Sequence, residues 1–430
     1  MSQVQLNSNS NSALQNTLAA SQSVVNPNVY STMPIYPASS LGFFKIQKAS
    51  GSVASSGQIS YNIPKYGILE QALLSFSKTY ATAGDRIVQQ SEIYAAIDRV
   101  ELLSSSRVVS TLTSADLLAQ LSDLEISQMG AVQNGGVVQL PAVATGSITS
   151  ARTMDYTIPI VFGFFEQLNT QLNSSFLEPM TLRISWGDLS RISADGGPPG
   201  GTPETPASPF DPTAPTFSEP ELTLRYKNYD EAINAEMLAA NYDAPELNIV
   251  STRWYDENPT VFTQPATPAT TAEFKMQLKN TDCVESFYLM VRQMTANGGA
   301  KACVPVFCRI TEVSFFGSGQ EILTLSGREL AYAKLTEDGW STSSGSADNI
   351  FADKVAKIQM GCYGYGKLSN SLSLREINNP TIVVKADLNS TAGSQGGVTG
   401  TIYQLDCCEK CVAIYSTSSS TGRQNLALSN

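Results

Sequence analysis

The residue type most often used for catalysis is missing from this chain, because none of its 430 residues is histidine. Histidine is the usual general base, the commonest metal ligand and the group that activates a nucleophilic serine or cysteine. What remains is a carboxylate pair, a serine–lysine dyad or an all-cysteine metal site, and a linear sequence does not show which carboxylates face each other. We therefore predict that the protein is not an enzyme and has no catalytic residues.

The cysteines are the other reactive group, and all seven lie in the second half of the chain. An odd, clustered set without a signal peptide is typical of reduced thiols. Cys408 and Cys411 have the spacing of half a zinc site, but structural zinc needs four ligands and no second close pair exists. We expect buried or free thiols, no metal and no cofactor, and the redox or metal state of Cys407, Cys408 and Cys411 stays open. The remaining cysteines are Cys283, Cys303, Cys308 and Cys362.

Gly317 and Gly319 could suggest a phosphate-binding loop. No Gly-Lys-Ser/Thr sequence follows them, so the P-loop pattern is incomplete. Because the two glycines stand between apolar runs, they predict a hairpin turn instead.

Composition and charge exclude further classes of protein. The formal net charge is -11, and no Asp, Glu, Lys or Arg precedes Lys45, so the chain lacks the basic arm that neutralises nucleic acid and we expect no direct sequence-specific nucleic-acid binding. The start also lacks the charged and apolar regions of a signal peptide, and no apolar run is long enough to cross a bilayer. We expect a soluble protein that folds in a reducing cell interior.

An internal repeat is the strongest pattern in the sequence. Residues 97–117 and 310–330 align without a gap, as IDRVELLSSSRVVSTLTSADL over ITEVSFFGSGQEILTLSGREL. A second block places Pro179 over Pro380, and the blocks occur in the same order in both halves. A repeat longer than the 20 to 50 residues of solenoid units indicates a duplicated domain.

Short strands separated by turn residues account for most of the chain and predict sandwiches or barrels. Helices are few: Ser114 is expected to cap a helix from Ala115 to about Met129, with its counterpart near 328–335, and a further helix is predicted at 230–241. The predicted strands are 42–48, 57–63, 69–78, 96–103, 107–112, 273–278, 286–292, 308–316, 321–325 and 354–365.

The repeat also sets the expected domain bounds. Composition alone would cut the chain at 195–220, which is rich in proline and glycine, but the alignment makes this stretch a long loop inside the first domain. We expect it to project outward, where it could contact the host or other proteins. The expected segments are an N-terminal arm at 1–40, a first domain at 41–229, a connecting helix at 230–242, a second domain at 243–416 and a C-terminal tail at 417–430.

Two all-β domains in tandem, each with a helix after a paired-strand motif, resemble the double jelly-roll major capsid proteins of tailless double-stranded DNA viruses, the lineage that includes adenovirus. The likeness covers about residues 41–416. It rests on EAINAEMLAANYDAPE after the first domain, on the paired strands 274–278 and 287–292, and on the closing run GYGKLSNSLSLREINNPTI. The resemblance implies an all-β fold of two tandem eight-stranded antiparallel jelly rolls with a few short helices.

The resemblance further implies a structural protein of the virion. Three chains would form a pseudo-hexameric tile of an icosahedral shell, assembled inside the host cell. The partners would be the protein itself, neighbouring capsomers, and minor capsid, vertex or membrane proteins. The uncharged arm at 1–40 would contact neighbouring chains or an internal membrane, and its apolar residues, such as Val29, Tyr30 and Ile35, favour an ordered arm.

Two alternatives remain open. Jelly rolls also build carbohydrate-binding and glycan-processing proteins, in which Trp186, Trp254 and Trp340 would stack on sugars. Lone tryptophans are more often core residues, however. The second alternative is a different virion role, as a minor capsid or spike protein.

Overall fold

The protein is described here from a computed structural model. The structure describes residues 39–80, 86–87, 96–123, 152–163, 174, 177–187, 189, 194–195, 216–229, 246–267, 269–295, 301–330, 355–360, 371–388, 399–419 and 424–428.

The first half of the chain folds into two facing antiparallel sheets. One has the order β1-β12-β4-β8, with β11 added beside β4, and the other has the order β2-β3-β9-β6-β7. Helix α1 follows β7, and β5 and β10 form a separate small pair. The elements are β1 (Ser39–Ile46), β2 (Ser50–Gly51), β3 (Gln58–Ile63), β4 (Ile68–Tyr80), β5 (Arg86–Ile87), β6 (Ile97–Ser104), β7 (Arg107–Thr113), α1 (Ser114–Asp123), β8 (Arg152–Ile160), β9 (Met180–Trp186), β10 (Ala194–Asp195), β11 (Thr216–Phe217) and β12 (Glu221–Tyr229).

The second half repeats this arrangement. Its sheets have the orders β13-β22-β16-β19 and β15-β21-β17-β18, and the long strand β17 joins them because it pairs first with β16 and then with β21. The elements are β13 (Glu246–Asp256), β14 (Thr260–Thr263), β15 (Thr271–Gln277), β16 (Cys283–Thr295), β17 (Lys301–Gly317), β18 (Gln320–Ser326), β19 (Val355–Gln359), β20 (Leu372–Ser373), a 3₁₀ turn (Leu374–Glu376), β21 (Thr381–Asp387), β22 (Ile402–Ser419) and β23 (Gln424–Leu428).

When the separate β5–β10 pair and the short strands β2, β11, β14, β20 and β23 are left aside, the described part of each half contains two sets of four strands in the same order. Strands adjacent in space are distant in sequence, as in β1-β12 and β13-β22, which is the connectivity of a jelly roll. The predicted fold, two tandem antiparallel jelly rolls of eight main strands, is confirmed. Side chains alternate along the strands, as in β9, where Met180, Leu182 and Ile184 are buried and Thr181 and Arg183 are half-buried.

The repeated hairpin is reproduced in detail. The β6–β7 and β17–β18 turns both place a serine in the left-handed region, with φ of 57° at Ser105 and 53° at Ser318, and Gly319 follows at 78°. Both hairpins also have a bulge at the aligned position, between Leu102 and Leu103 and between Phe315 and Phe316. The hairpin turn predicted at Gly317–Gly319 is present, but the positive φ angles fall on Ser318 and Gly319.

The alignment of Pro179 with Pro380 is wrong by one residue. Leu102 pairs with Leu182 in the first jelly roll, and its equivalent Phe315 pairs with Ile382 in the second. Leu182 thus corresponds to Ile382, and both are buried. A shift of one residue would turn every side chain of the strand to the opposite face, so burial selects the register that sequence identity missed.

The helix cap also differs from the prediction. Thr113, not Ser114, caps α1: its Oγ1 accepts a hydrogen bond from the Asp116 N–H at 3.3 Å, and the Asp116 carboxylate accepts one from the Thr113 N–H at 2.9 Å. Ser326 and Glu329 make the same reciprocal contact at the start of the second helix, of which residues 327–330 are described. Both halves therefore begin this helix with a capping box.

Hydrophobic packing forms two clusters. One fills the second jelly roll, and the other fills the first and continues onto residues of the second, including Trp254, Tyr288 and Cys408. Trp186 packs edge to face on Phe76 within the first cluster. Trp186 and Trp254 are buried, so neither presents a surface for sugar stacking.

Several predicted segments lie outside the described residues: the arm up to residue 38, the helix at 230–242, most of the loop at 195–220, the ends of the helices after Asp123 and Leu330, the strand residues 361–365, and Trp340. The end of the predicted loop, Thr216–Phe217, pairs with β4. The expected tail at 417–430 contains the end of β22 and all of β23, which pair with each other. The domain bounds otherwise stay a prediction.

Among the described residues, no helix has both the length and the apolarity to span a bilayer.

Candidate functional site

The two jelly rolls meet at a joint built from the repeated hairpin and its helix. Strand β7 lies against β13 and β23 of the second jelly roll, and α1 lies against β22. The segment after β8 completes the joint, because Gly163 faces Thr252 on β13 and the Val161 carbonyl accepts a 2.6 Å hydrogen bond from Gln120 on α1. We call this contact the internal joint.

The second copy of the hairpin and helix is uncovered. Val109 on β7 is 6% exposed, whereas the equivalent Ile322 on β18 is 55% exposed. Asp116 is likewise buried, and its equivalent Glu329 is exposed. The two hairpins have similar sequences and the same backbone geometry, so the difference in exposure arises from what packs over them. The second jelly roll covers the first hairpin, and no described part of the chain covers the second hairpin. We call the surface of β18 and residues 327–330 the open hairpin face.

The sheet that receives the hairpin also has an equivalent in the first jelly roll, which no described residue covers. In the second jelly roll, Trp254, Tyr288 and Cys408 point away from that roll's own core into the internal joint. The corresponding sheet of the first jelly roll instead exposes Leu41 and Phe43, the latter by 64%. We call the outward side of β1, β12 and β4 the open sheet face. Among the described residues, each chain thus has one formed joint and two uncovered faces that correspond to the two sides of that joint.

Titratable groups cluster inside the internal joint. Asp116 comes from α1, Asp256 from the end of β13 and Cys408 from β22, and one ligand atom of each lies within 4.8 Å of the other two. Asp256 and Cys408 are direct cross-strand partners. Burial raises the pKa of Asp116, and the charge of Asp256 raises it further. Burial is also the main cause of the raised pKa values of Asp256 and Cys408.

An ion pair borders this cluster. Arg292 on β16 pairs with Asp406 on β22 through its Nε and the carboxylate Oδ2. Both side chains are largely buried, so the pair is held in a weakly screened environment. Asp406 is the main partner of Arg292, whose charge also acts on Cys408 and Asp256.

The half zinc site suggested by the spacing of Cys408 and Cys411 does not form. Both residues lie on β22, where side chains three positions apart point to opposite faces. Cys408 enters the internal joint, and Cys411 enters the core of the second jelly roll with Cys407. The expected burial of these three thiols is confirmed. Cys362 and the side chain of Cys303 lie outside the described part of the structure.

A second polar group surrounds Cys411. The Asn280 amide donates to Glu409 Oε2 at 2.5 Å and to Cys411 Sγ at 3.1 Å, and Glu257 accepts the backbone N–H of Asn280 at 2.8 Å. Burial raises the pKa of Glu409 to about 8. These contacts give Glu409 Oε2 a hydrogen-bond donor, whereas Glu409 Oε1 has none among the described residues.

Sequence reasoning missed Asp116 and Asp256. The pattern Thr113-x-x-Asp116 was a detectable signal for a helix cap. No sequence pattern near Asp116 points to Asp256, because the two acids meet only when the jelly rolls pack together.

The chain is similar to known proteins in its fold. No protein-family model matches the chain, and no curated protein matches it. Among solved structures, the chain is similar to one described as the PBCV-1 virus capsid, with a TM-score of 0.64, 14% identity, and coverage of 92% of this chain and 98% of that chain.

Two further structures have the same architecture. The Faustovirus major capsid protein matches with a TM-score of 0.56 and 11% identity over 88% of this chain and 91% of its own. The mavirus major capsid protein matches with a TM-score of 0.52 and 11% identity over 92% of each chain. At these identities, the comparisons establish a shared double jelly-roll fold along nearly the whole chain.

Proposed function

We propose that this protein is a structural major capsid protein, located in the virion, that assembles as trimers tiling an icosahedral shell. The observation that carries the proposal is the pair of open faces. The neighbouring structures are named as capsid proteins, which supports the same role for a chain with the same fold.

The open faces support a ring rather than a two-fold dimer. Within one chain, the hairpin and helix of the first jelly roll pack on the second. If the same contact is repeated between chains, the open hairpin face of one chain covers the open sheet face of the next. Such a contact is heterologous, and it closes into a ring when the rotation per step divides a full turn. Three chains would place six jelly rolls in one pseudo-hexagonal ring.

The non-enzymatic assignment has its own support. The chain contains no histidine. In the cluster found among the described residues, Asp116 and Cys408 are buried at the internal joint and Asp256 is half-buried. The carbohydrate-binding alternative is weakened because Trp186 and Trp254, two of its three candidate stacking residues, are buried.

The expected outer contacts are part of the same proposal. The arm at 1–40 would contact neighbouring chains or an internal membrane, and the loop at 195–220 would project outward. Minor capsid, vertex or membrane proteins would complete the set of partners, and shell assembly would take place in the host cell.

Two substitutions test the heterologous contact. Phe43→Asp places a charge on the open sheet face, and Ile322→Asp does so on the open hairpin face. We expect each variant to be monomeric in light scattering after size exclusion, and the wild type to have the mass of three chains. Val108→Asp is the matched control, because Val108 is 47% exposed on the first hairpin even though the internal joint is formed.

Mixing the two variants gives the sharper result. The Phe43→Asp chain keeps an intact hairpin face and the Ile322→Asp chain an intact sheet face, so an equimolar mixture should form a one-to-one dimer that cannot close. Negative-stain electron microscopy should show hexagonal particles for the wild type only. A monomeric wild type, or variants that still form trimers, would overturn the proposal, and a glycan array would then test sugar binding.

A further inference from the structure

We propose that Asp116, Asp256 and Cys408 bind a divalent cation, with Zn²⁺ the best fit, that links the two jelly rolls at the internal joint. This inference does not depend on the proposed function, because the three residues belong to one chain.

The first support is an unmatched oxygen at a fully buried position. Asp116 is 1% exposed, and its Oδ2 accepts the hydrogen bond from the Thr113 N–H. Its Oδ1 has no hydrogen-bond donor among the described residues, and Asp256 Oδ1 also has none. Leaving a buried acceptor unmatched costs about 1–3 kcal/mol, and more for a charged group. A bound cation would satisfy both oxygens together with the neighbouring thiol.

The second support is the local charge. The groups that face the cluster are Thr113 from the helix cap and the Arg292–Asp406 pair from the sheet. Arg292 pairs with Asp406 and also attracts Asp256 and Cys408, so its one positive charge is shared by two carboxyl groups and a thiol.

The donor set selects the metal. Mg²⁺ and Ca²⁺ favour oxygen ligands, whereas Zn²⁺ accepts thiolate sulfur together with carboxylate oxygen. In a tetrahedral zinc site, ligand atoms lie about 3.4–3.7 Å apart, so separations of up to 4.8 Å would close by no more than about 1.4 Å. Water would supply the fourth ligand.

The experiment uses the full-length protein after treatment with a chelator. Zn²⁺ titrated by calorimetry should bind with one equivalent, and the melting temperature should rise with Zn²⁺ concentration. Co²⁺ used as a spectroscopic probe should produce a thiolate-to-metal charge-transfer band. Repeating the titration in the Phe43→Asp background separates metal binding from assembly.

Variants assign the ligands. Cys408→Ser should abolish the cobalt charge-transfer band, and Asp116→Asn should weaken Zn²⁺ binding by more than about 10-fold. Cys411→Ser is the matched control on the same strand and should keep the band, and Glu329→Gln is the control for the capping acid. If Cys408→Ser retains the band, the site is wrong. If the wild type binds no Zn²⁺ and Asp116→Asn is more stable than the wild type, the carboxyl groups share a proton and the proposal is overturned.

Discussion

Replacing Gly163 with alanine should loosen the internal joint between the two jelly rolls and destabilise the protein. A Cβ at this position would lie 2.1 Å from the Thr252 carbonyl oxygen and 2.4 Å from its Oγ1. Contacts below 3.0 Å essentially never occur for a real Cβ, so the two segments must move apart by about 1 Å. Thr252 cannot move alone, because its strand is paired with β22 along its whole length.

The expected cost is about 3 kcal/mol. Overpacking a buried site typically costs 1–3 kcal/mol, and a gap of 0.5–1 Å forfeits a quarter to a half of each dispersion contact across the joint. The upper part of the range applies because the obstacle is a backbone oxygen. Thr252→Ala should not rescue the variant, since it removes Oγ1 and leaves the carbonyl in place.

Urea unfolding followed by near-ultraviolet circular dichroism measures this cost as a lower midpoint. Gly42→Ala is the matched control, because the atoms nearest to its added Cβ are ring carbons of Phe44 and Tyr66, the closest at 3.0 Å. The control should lose less than about 1 kcal/mol. If Gly163→Ala unfolds at the same urea concentration as Gly42→Ala, the description of the internal joint as tightly packed at this point is wrong.

Two further predictions concern charged contacts. Hydrogen bonds from the Ser326 backbone and hydroxyl lower the pKa of Glu329, so this cap contributes stability above the ordinary carboxyl pKa and loses it as the pH falls through the lowered value. Ser326→Ala removes one of these bonds and should raise the Glu329 pKa in an NMR titration, and an unchanged pKa would contradict this reasoning. Glu101→Ala should cost about 2 kcal/mol in thermal unfolding, because it leaves the half-buried Arg183, bonded at 2.6 Å, without its carboxylate. A loss below about 0.5 kcal/mol would show that this pair behaves as a surface salt bridge.

The duplication and most strands were predictable because their signals are local. Alternation of apolar and polar side chains marks a strand without knowledge of its partner. The positions of β3, β6, β7 and β18 therefore agree with the prediction to within about two residues, a normal uncertainty for element ends. The identity of the helix cap was also encoded locally, in the Thr113-x-x-Asp116 pattern, but the rival Ser114 directly after it obscured the assignment.

Register and pairing were harder to predict. Matching Pro179 to Pro380 preserved residue identity, yet the structure preserves burial and makes Leu182 the equivalent of Ile382. The spacing of Cys408 and Cys411 suggested a shared site, but a strand sends them to different clusters. Spacing along the chain has structural meaning only when the type of element is known.

The sequence by itself determined that one folding unit was built twice, since its hydrophobic pattern, its turn serines and its capping acids are all repeated. Only the tertiary structure decided that the two copies differ in role. Val109 and Ile322 occupy the same position in the unit, yet one is buried and the other exposed. The physical reason is that burial depends on the surface that packs over a residue. That surface belongs to the other jelly roll, and the assembled fold alone brings it there.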